Sequence, residues 1–308
     1  MPDRKHPSRS ETIVILGAGY SGTLVATNIL RKCQSGNVQI ILVENCPTFG
    51  RGLAYRTWDD NFLLNVPAGN MSALADAPDH FVDYCRNIDP AFNSSSFISR
   101  RIYGDYLEHT LNQAEIEGSL PLHRLHAQAL GITPRPENNA FTIELDNGDI
   151  LQADKVVLAL GHFPPRNPAV VHDVAASPRY LANPYDYLAV DRIADDEAIL
   201  LLGSGHTAVD CAFRLAKSSG SRKIYLVSRR GLLPQTHRPS PKAPIPIPFP
   251  AYLATAPLTI RAYIRALRQE AKQRIANNGD WRDVINELRP HTPEIWQRLP
   301  LGEKRKFL

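Results

Sequence analysis

Two glycine-rich turns constrain this 308-residue chain more than any other feature, because each follows an apolar run and precedes a helical pattern. The first is Gly17-Ala18-Gly19-Tyr20-Ser21-Gly22, after Thr12-Ile13-Val14-Ile15-Leu16. The second is Gly203-Ser204-Gly205-His206-Thr207-Ala208, after Ala198-Ile199-Leu200-Leu201-Leu202. In such a turn the first glycine makes the sharp bend. The second lets backbone approach a pyrophosphate, and the third small residue lets the helix pack on the strand. The N–H groups of the helix then face the phosphates. Two turns of this kind, about one domain apart, predict a chain that holds two dinucleotides, and the natural pair is a flavin dinucleotide and a nicotinamide. Gly17, Gly19, Ser21, Gly22, Gly203, Gly205, His206 and Thr207 are therefore expected at the cofactors.

The two units differ in chemistry at the end of their second strand. After the first helix, with Val25, Ala26, Ile29, Leu30 and Cys33 on one face, the strand Val38-Gln39-Ile40-Ile41-Leu42-Val43 ends at Glu44. An acid at this distance is what a ribose hydroxyl requires. After the second helix, Lys223-Ile224-Tyr225-Leu226-Val227 ends at Ser228-Arg229-Arg230. Replacing the acid by a hydroxyl and guanidinium groups suits a 2′-phosphate, so Arg229 and Arg230 predict NADPH over NADH. His162 and His206 each lie at a cofactor turn, and a nucleotide contact and a plain structural role both stay open for them.

Residues 47–78 hold two irregular small-residue stretches, Gly50-Arg51-Gly52-Leu53-Ala54-Tyr55 and Leu63-Leu64-Asn65-Val66-Pro67-Ala68-Gly69-Asn70-Met71-Ser72. Loops of this length inside a compact domain are usually functional. Asn65 and Asn70 carry amides that can donate and accept hydrogen bonds at a flavin ring edge. The alternative is that both cap turns. Asn70 is the one catalytic candidate. Residues 79–85 and 103–117 read as helices. Phe141-Thr142-Ile143-Glu144-Leu145 and Asp149-Ile150-Leu151-Gln152 flank an Asn-Gly turn and predict a hairpin. It leads to an apolar strand, Lys155-Val156-Val157-Leu158-Ala159-Leu160, that ends at Gly161.

The fold class expected is α/β: two Rossmann-like domains with parallel sheets, a small antiparallel insertion and a helical C-terminal region. The boundaries are a disordered tail over 1–10, an FAD-binding domain over 11–165, an NAD(P)-binding domain over 166–250, and helices over 251–308. Residues 239–250 hold six prolines and must be extended. A basic amphipathic helix is expected over 258–277, with Asn278-Gly279 as its stop and its charges solvated. Another is expected to start at Thr292-Pro293-Glu294 with Thr292 as its cap.

A formal net charge of +4 is small. With no basic run interleaved with aromatics, nucleic acid is not an expected partner. No stretch reaches the roughly 20 apolar residues of a membrane span, and the first ten residues lack a signal-peptide core. The four cysteines form no CxxC or metal spacing, which fits reduced thiols in the cytoplasm and argues against a disulfide reductase and a metal site. The adjacent acids Asp59-Asp60 and Asp195-Asp196 suit loop or cap roles better than paired acid–base work.

One set of residues resembles the bacterial FAD-NAD(P)-binding family, which includes FAD-dependent urate hydroxylases. It comprises the first glycine turn, Glu44, Gly50-x-Gly52-x-Ala54-Tyr55, Leu63-Leu64-Asn65-Val66-Pro67-Ala68, Met71-Ser72, Arg100-Arg101-x-Tyr103-Gly104-x-Tyr106-Leu107 and Ala159-Leu160-Gly161-His162. The wider relatives are flavin monooxygenases with two dinucleotide-binding domains, among them N-hydroxylating and Baeyer–Villiger enzymes. The resemblance implies FAD and NADPH as cofactors, dioxygen and a small molecule as substrates, and Tyr55, Leu64, Asn65, Met71 and Gly161 at the flavin. A flavin reductase or oxidase of the same fold, and a non-enzymatic redox module, are the rival readings. Such relatives return to the FAD domain late in the chain. No matching segment comes after Arg230, so the chain is expected to be truncated or naturally shortened beyond the helical region.

Overall fold

The structure, a computed structural model, describes residues 10–33, 36–163, 165–218, 222–236 and 248–307. The expected tail and most of the proline-rich stretch lie outside them. The chain divides into two compact units, one through Ala243 and one from Pro244.

The first unit is built on a parallel sheet of four strands: β1 (Glu11–Leu16), β2 (Val38–Glu44), β3 (Leu122–His126) and β7 (Lys155–Leu158), in the order β3-β2-β1-β7. The chain runs outward from β1 to β3 and returns on the other side of β1. The switch point of the sheet therefore lies between β1 and β7, where such sheets bind ligands at the carboxyl ends of their strands. One face is covered by α1 (Tyr20–Lys32) and α4 (Arg100–Glu117), through Ile15, Ala26, Leu30, Leu42, Leu111 and Ala114. The other face packs through Val14, Leu16 and Val43 on an antiparallel sheet of β4 (Ala129–Arg135), β5 (Ala140–Leu145) and β6 (Ile150–Ala153). Its hairpin turns at Asn147-Gly148, with Gly148 at φ +86°. Between β2 and β3 lie α2 (Gly52–Tyr55) and α3 (His80–Ile88).

A second, smaller parallel pair, β8 (Ile199–Leu202) and β9 (Ile224–Val227), flanks α6 (His206–Ser218), and α5 (Tyr187–Asp191) precedes it. The second unit holds α7 (Ala251–Ala254), α8 (Ile260–Ala276), α9 (Trp281–Leu288), α10 (Thr292–Arg298) and α11 (Leu301–Phe307) around Leu253, Tyr263 and Leu299. On α8, Arg261, Arg265, Arg268 and Lys272 form one exposed stripe, at helical spacing opposite buried Tyr263. The chain leaves this helix through Asn278 at φ +58°. Among the described residues no helix is long and apolar enough to cross a membrane.

Several expectations are corrected. β3 and β4 were not foreseen. The pattern of β3, Leu-His-Arg-Leu-His, is too polar to read as a buried parallel strand. β4 contains Gly131 and Pro134, which a sheet tolerates only at an edge or bulge; β4 is an edge strand with a register shift at Ala129/Gly131. Cys33 is exposed and caps α1 rather than facing the core. α4 begins three residues earlier than expected, because the Ser99 hydroxyl accepts from the Arg101 N–H. Thr292 is not a cap. A 3-10 turn at Arg289–His291 feeds straight into α10, and the Thr292 hydroxyl donates backward to Arg289 O at 3.0 Å.

Candidate dinucleotide-binding sites

The first glycine turn is closed by backbone. Gly17 sits at φ +100° and donates its N–H to Val43 O at 2.8 Å. A Cβ on Gly17 would lie 2.2 Å from Ala159 O, and one on Gly22 would lie 1.8 Å from Gly17 O. Strand β7 and helix α1 are thus drawn onto the turn too closely for any side chain. Gly19 and Gly52 face each other likewise, since a Cβ on Gly52 would lie 2.9 Å from the Gly19 Cα. Helix α1 starts at Gly19 with no side-chain cap. The N–H groups at its start therefore take no side-chain cap. Such a cradle fits the phosphates of a dinucleotide.

Glu44 is held at the end of β2. Its Oε2 accepts from the Ala18 N–H at 2.7 Å, and its Oε1 accepts from the Cys46 N–H at 3.1 Å. Each oxygen keeps a lone pair, so the carboxylate is both oriented and able to accept from a ribose hydroxyl.

The second turn repeats the first. Gly203 sits at φ +118° and donates its N–H to Val227 O at 2.8 Å. Where Glu44 stands in the first unit, the Ser228 hydroxyl here accepts from the Ser204 hydroxyl at 2.8 Å and from the Gly231 N–H at 3.0 Å. Arg229 and Arg230 come next, in the turn after β9, both exposed. The Tyr185 hydroxyl lies 3.5 Å from the Thr207 hydroxyl. His206, the first residue of α6, is exposed.

Residues 14–163 match the model of the family described as FAD-NAD(P)-binding. The match covers just under half of the chain. The chain is 25% identical over 280 residues to an L-aspartate N-monooxygenase (nitrosuccinate-forming) of Streptomyces davaonensis, covering 75% of this chain and 43% of that protein. It is 24% identical over 229 residues to a Baeyer-Villiger monooxygenase of Stachybotrys chlorohalonatus, covering 70% of this chain and 33% of that protein. The chain thus spans less than half the length of these curated relatives. Among solved structures, the reduced form of ornithine hydroxylase from Pseudomonas aeruginosa aligns with a TM-score of 0.53 at 17% identity, over 71% of this chain and 54% of that one. That likeness is one of fold.

Within the matched stretch, the segment from Leu63 to Ser72 is irregular but firmly anchored. The N–H groups of Leu64, Ala68 and Gly69 donate to Ile98 O, Ser96 O and Ser94 O at 2.8 to 2.9 Å. The Ser72 hydroxyl donates to Ala77 O at 2.6 Å, and the Tyr106 hydroxyl accepts from the Ala73 N–H at 3.0 Å. Asn65 and Asn70 are exposed. Neither side-chain amide caps a turn, although Asn70 ends the short 3-10 turn Ala68–Asn70 through its backbone. Leu64 is 4% exposed and belongs to the core with Phe81, Ile98 and Tyr103. Its side chain is thus spent on packing. Met71 and Tyr55 pack partly buried against the same core. The Tyr55 ring lies 4.8 Å from that of Tyr103, and burial pushes both phenols up from their ordinary pKa. Gly161 is at φ +66° beyond β7, with open space around it, and His162 beside it is exposed.

Sequence reasoning missed the charged residues that support these turns. Arg51, next to the Gly52 that faces Gly19, is held by Asp105 and by Glu108 at 3.0 Å. Asp59 is a loop residue, as expected of it, but it also binds Lys217 at 2.6 Å. Burial raises its carboxyl pKa, while the hydrogen bonds from Lys217 and Asn61 outweigh this and hold it below the usual range.

Proposed function

We propose that the chain is an FAD-dependent, NADPH-using monooxygenase of a small molecule. The observation that carries this reading is the repeat of one turn geometry with different chemistry at the strand end. Glu44 is oriented to accept from a ribose hydroxyl of FAD. Arg229 and Arg230 stand exposed where a 2′-phosphate of NADPH would lie. The similarity to an N-hydroxylating and a Baeyer-Villiger monooxygenase supports the same assignment. In this reading residues 11–165 hold FAD, residues 166–250 hold NADPH, and residues 251–308 form a helical accessory region.

Bound FAD supplies two-electron transfer from NADPH and the activation of dioxygen. The chain contributes the phosphate cradle at Gly17, Gly19 and Gly22, the acceptor at Glu44, and a rigid loop that presents the amides of Asn65 and Asn70. An exposed amide without an internal partner can both donate and accept at a reacting centre, and Asn70 is assigned that role.

The test is the visible spectrum of the purified protein with FAD, followed by NADPH oxidation in air with a panel of primary amines and ketones. Coupled turnover, with product formed and little hydrogen peroxide, is expected for one class. Protein that retains no FAD overturns the reading. Stoichiometric peroxide with every compound makes the protein an oxidase. Asn70→Ala is expected to keep FAD and NADPH oxidation while releasing more peroxide per NADPH.

A further inference from the structure

Helix α6 opens at the second glycine turn and lays one face along the segment that leads into the Asn65–Asn70 loop. Asp210, Arg214 and Lys217 are spaced i, i+4 and i+7, so they share that face. Asp210 Oδ2 lies 3.3 Å from an Arg100 guanidinium nitrogen, and the two side chains are only 19% and 18% exposed. The Arg100 Nε donates to Leu63 O at 3.0 Å, and its backbone N–H donates to Phe62 O at 2.7 Å. Lys217 and Arg214 reach Asp59 at 2.6 and 3.7 Å. Arg214 also stacks over the Tyr187 ring, which lies 5.3 Å from the Phe62 ring. Residues 59–63 are therefore bonded to α6 at three successive positions. Asn65 begins two residues further on.

We propose that Arg100 is a positioning residue that ties the Asn65–Asn70 loop to helix α6, so that occupancy of the second glycine turn is felt at that loop. A single guanidinium bonds the Leu63 carbonyl and the Asp210 carboxylate together. Asp210 lies one turn along α6 from His206 at the nucleotide end. Neither partner can release the other cheaply, because a buried charge left unpaired is costly. Any ligand that shifts or stiffens the start of α6 must therefore act on Leu63. The coupling is reciprocal: a loop held in place favours nucleotide at the second turn. Burial raises the Asp210 carboxyl above its ordinary pKa, and the charges of Arg100 and His206 only partly oppose it. The inference rests on the reading that the second turn takes NADPH.

Amide hydrogen exchange over residues 63–72, with and without NADP+, is the test, with NADP+ affinity measured in parallel. In the FAD-loaded wild type, NADP+ is expected to slow exchange there by about fivefold or more. In Asp210→Asn the protection is lost and NADP+ binds several-fold more weakly, with FAD content unchanged. Asp210→Glu restores the charge and with it the protection. Should Asp210→Asn fold poorly, Arg100→Met/Asp210→Leu removes both charges together and is expected to fold and still lose the protection. A wild type that binds no NADP+ overturns the functional reading and this inference with it. A wild type that binds it, with equal protection in Asp210→Asn or in the double variant, overturns the inference alone.

Discussion

The two glycine turns bend alike, yet their glycines are there for different reasons. In the first turn a side chain on Gly17, Gly22 or Gly52 would meet backbone at 2.2, 1.8 and 2.9 Å. There the protein itself demands glycine, and the cradle is built before any ligand arrives. In the second turn a Cβ on Gly203 or Gly205 would meet nothing within 4 Å. Gly203 is still required by its φ of +118°, but among the described residues nothing crowds Gly205. In the proposed function, the open space at Gly205 would take the close approach of a phosphate. On that reading the first turn is set by internal packing and the second by its ligand, a contrast that substitution can break.

The largest effect is expected at Gly22→Ala. A methyl group 1.8 Å from the Gly17 carbonyl oxygen forces α1 off the turn, and such overpacking against backbone should cost about 3 kcal/mol or more. Urea unfolding should show a protein that is largely unfolded or strongly destabilised, and FAD retention should go with it. Gly203→Ala meets no clash and costs only its backbone strain, about 1–3 kcal/mol. If the two variants were equally stable, the first turn would not be the tighter one.

Next come the strand ends. Both oxygens of Glu44 accept backbone N–H groups. In Glu44→Gln the amide nitrogen must face one of those donors, which should cost about 1–3 kcal/mol. Thermal unfolding measures that loss, and FAD titration should show weakened binding. Ser228→Ala should cost less, about 0.5–1.5 kcal/mol, because the Ser204 hydroxyl can still donate its one proton to Leu232 O. A Ser228 variant as damaging as the Glu44 variant would mean that the two strand ends are built alike.

Both turns were legible in the sequence because their signal is local: an apolar run, then small residues at fixed spacing. The hairpin and the parallel strands β1, β2, β8 and β9 were legible for the same reason. β3 was not, because its side chains answer to α4; Arg124 is bonded to Asn112 and Glu115 there. The pairing of Arg100 with Asp210 was invisible because nothing in the sequence joins residues so far apart, even though Arg100 stood in the segment that resembles the family. The burial of Leu64 was hidden as well, since an apolar residue in a loop reads equally as lining or as core.

A third effect is expected in selectivity and not in stability. Arg229 and Arg230 are exposed, so Arg229→Ala and Arg230→Ala should leave the melting temperature nearly unchanged. A charge-assisted contact to a 2′-phosphate is worth roughly 1.5–3 kcal/mol. The ratio of kcat/KM for NADPH over NADH should therefore narrow by about tenfold or more in at least one variant. An unchanged ratio in both variants would show that the second strand end does not read the phosphate.

The smallest effect on the protein itself is expected at Gly205→Ala, and it is the sharpest test of the comparison. The added methyl group projects into open space at an exposed position. Its backbone needs no left-handed conformation, as Gly203 does. Stability should change by less than about 0.5 kcal/mol. If the space is kept for a pyrophosphate, the same methyl group stands where the backbone must approach it, and NADP+ affinity should fall by about tenfold or more. Calorimetric titration with NADP+ beside a melting curve separates the two quantities. A variant that is stable and poor at binding makes Gly205 a residue placed for the ligand alone. A variant that is stable and binds NADP+ as well as the wild type removes the reason for glycine at that position. The likeness of the two turns would then be one of backbone path and not of binding.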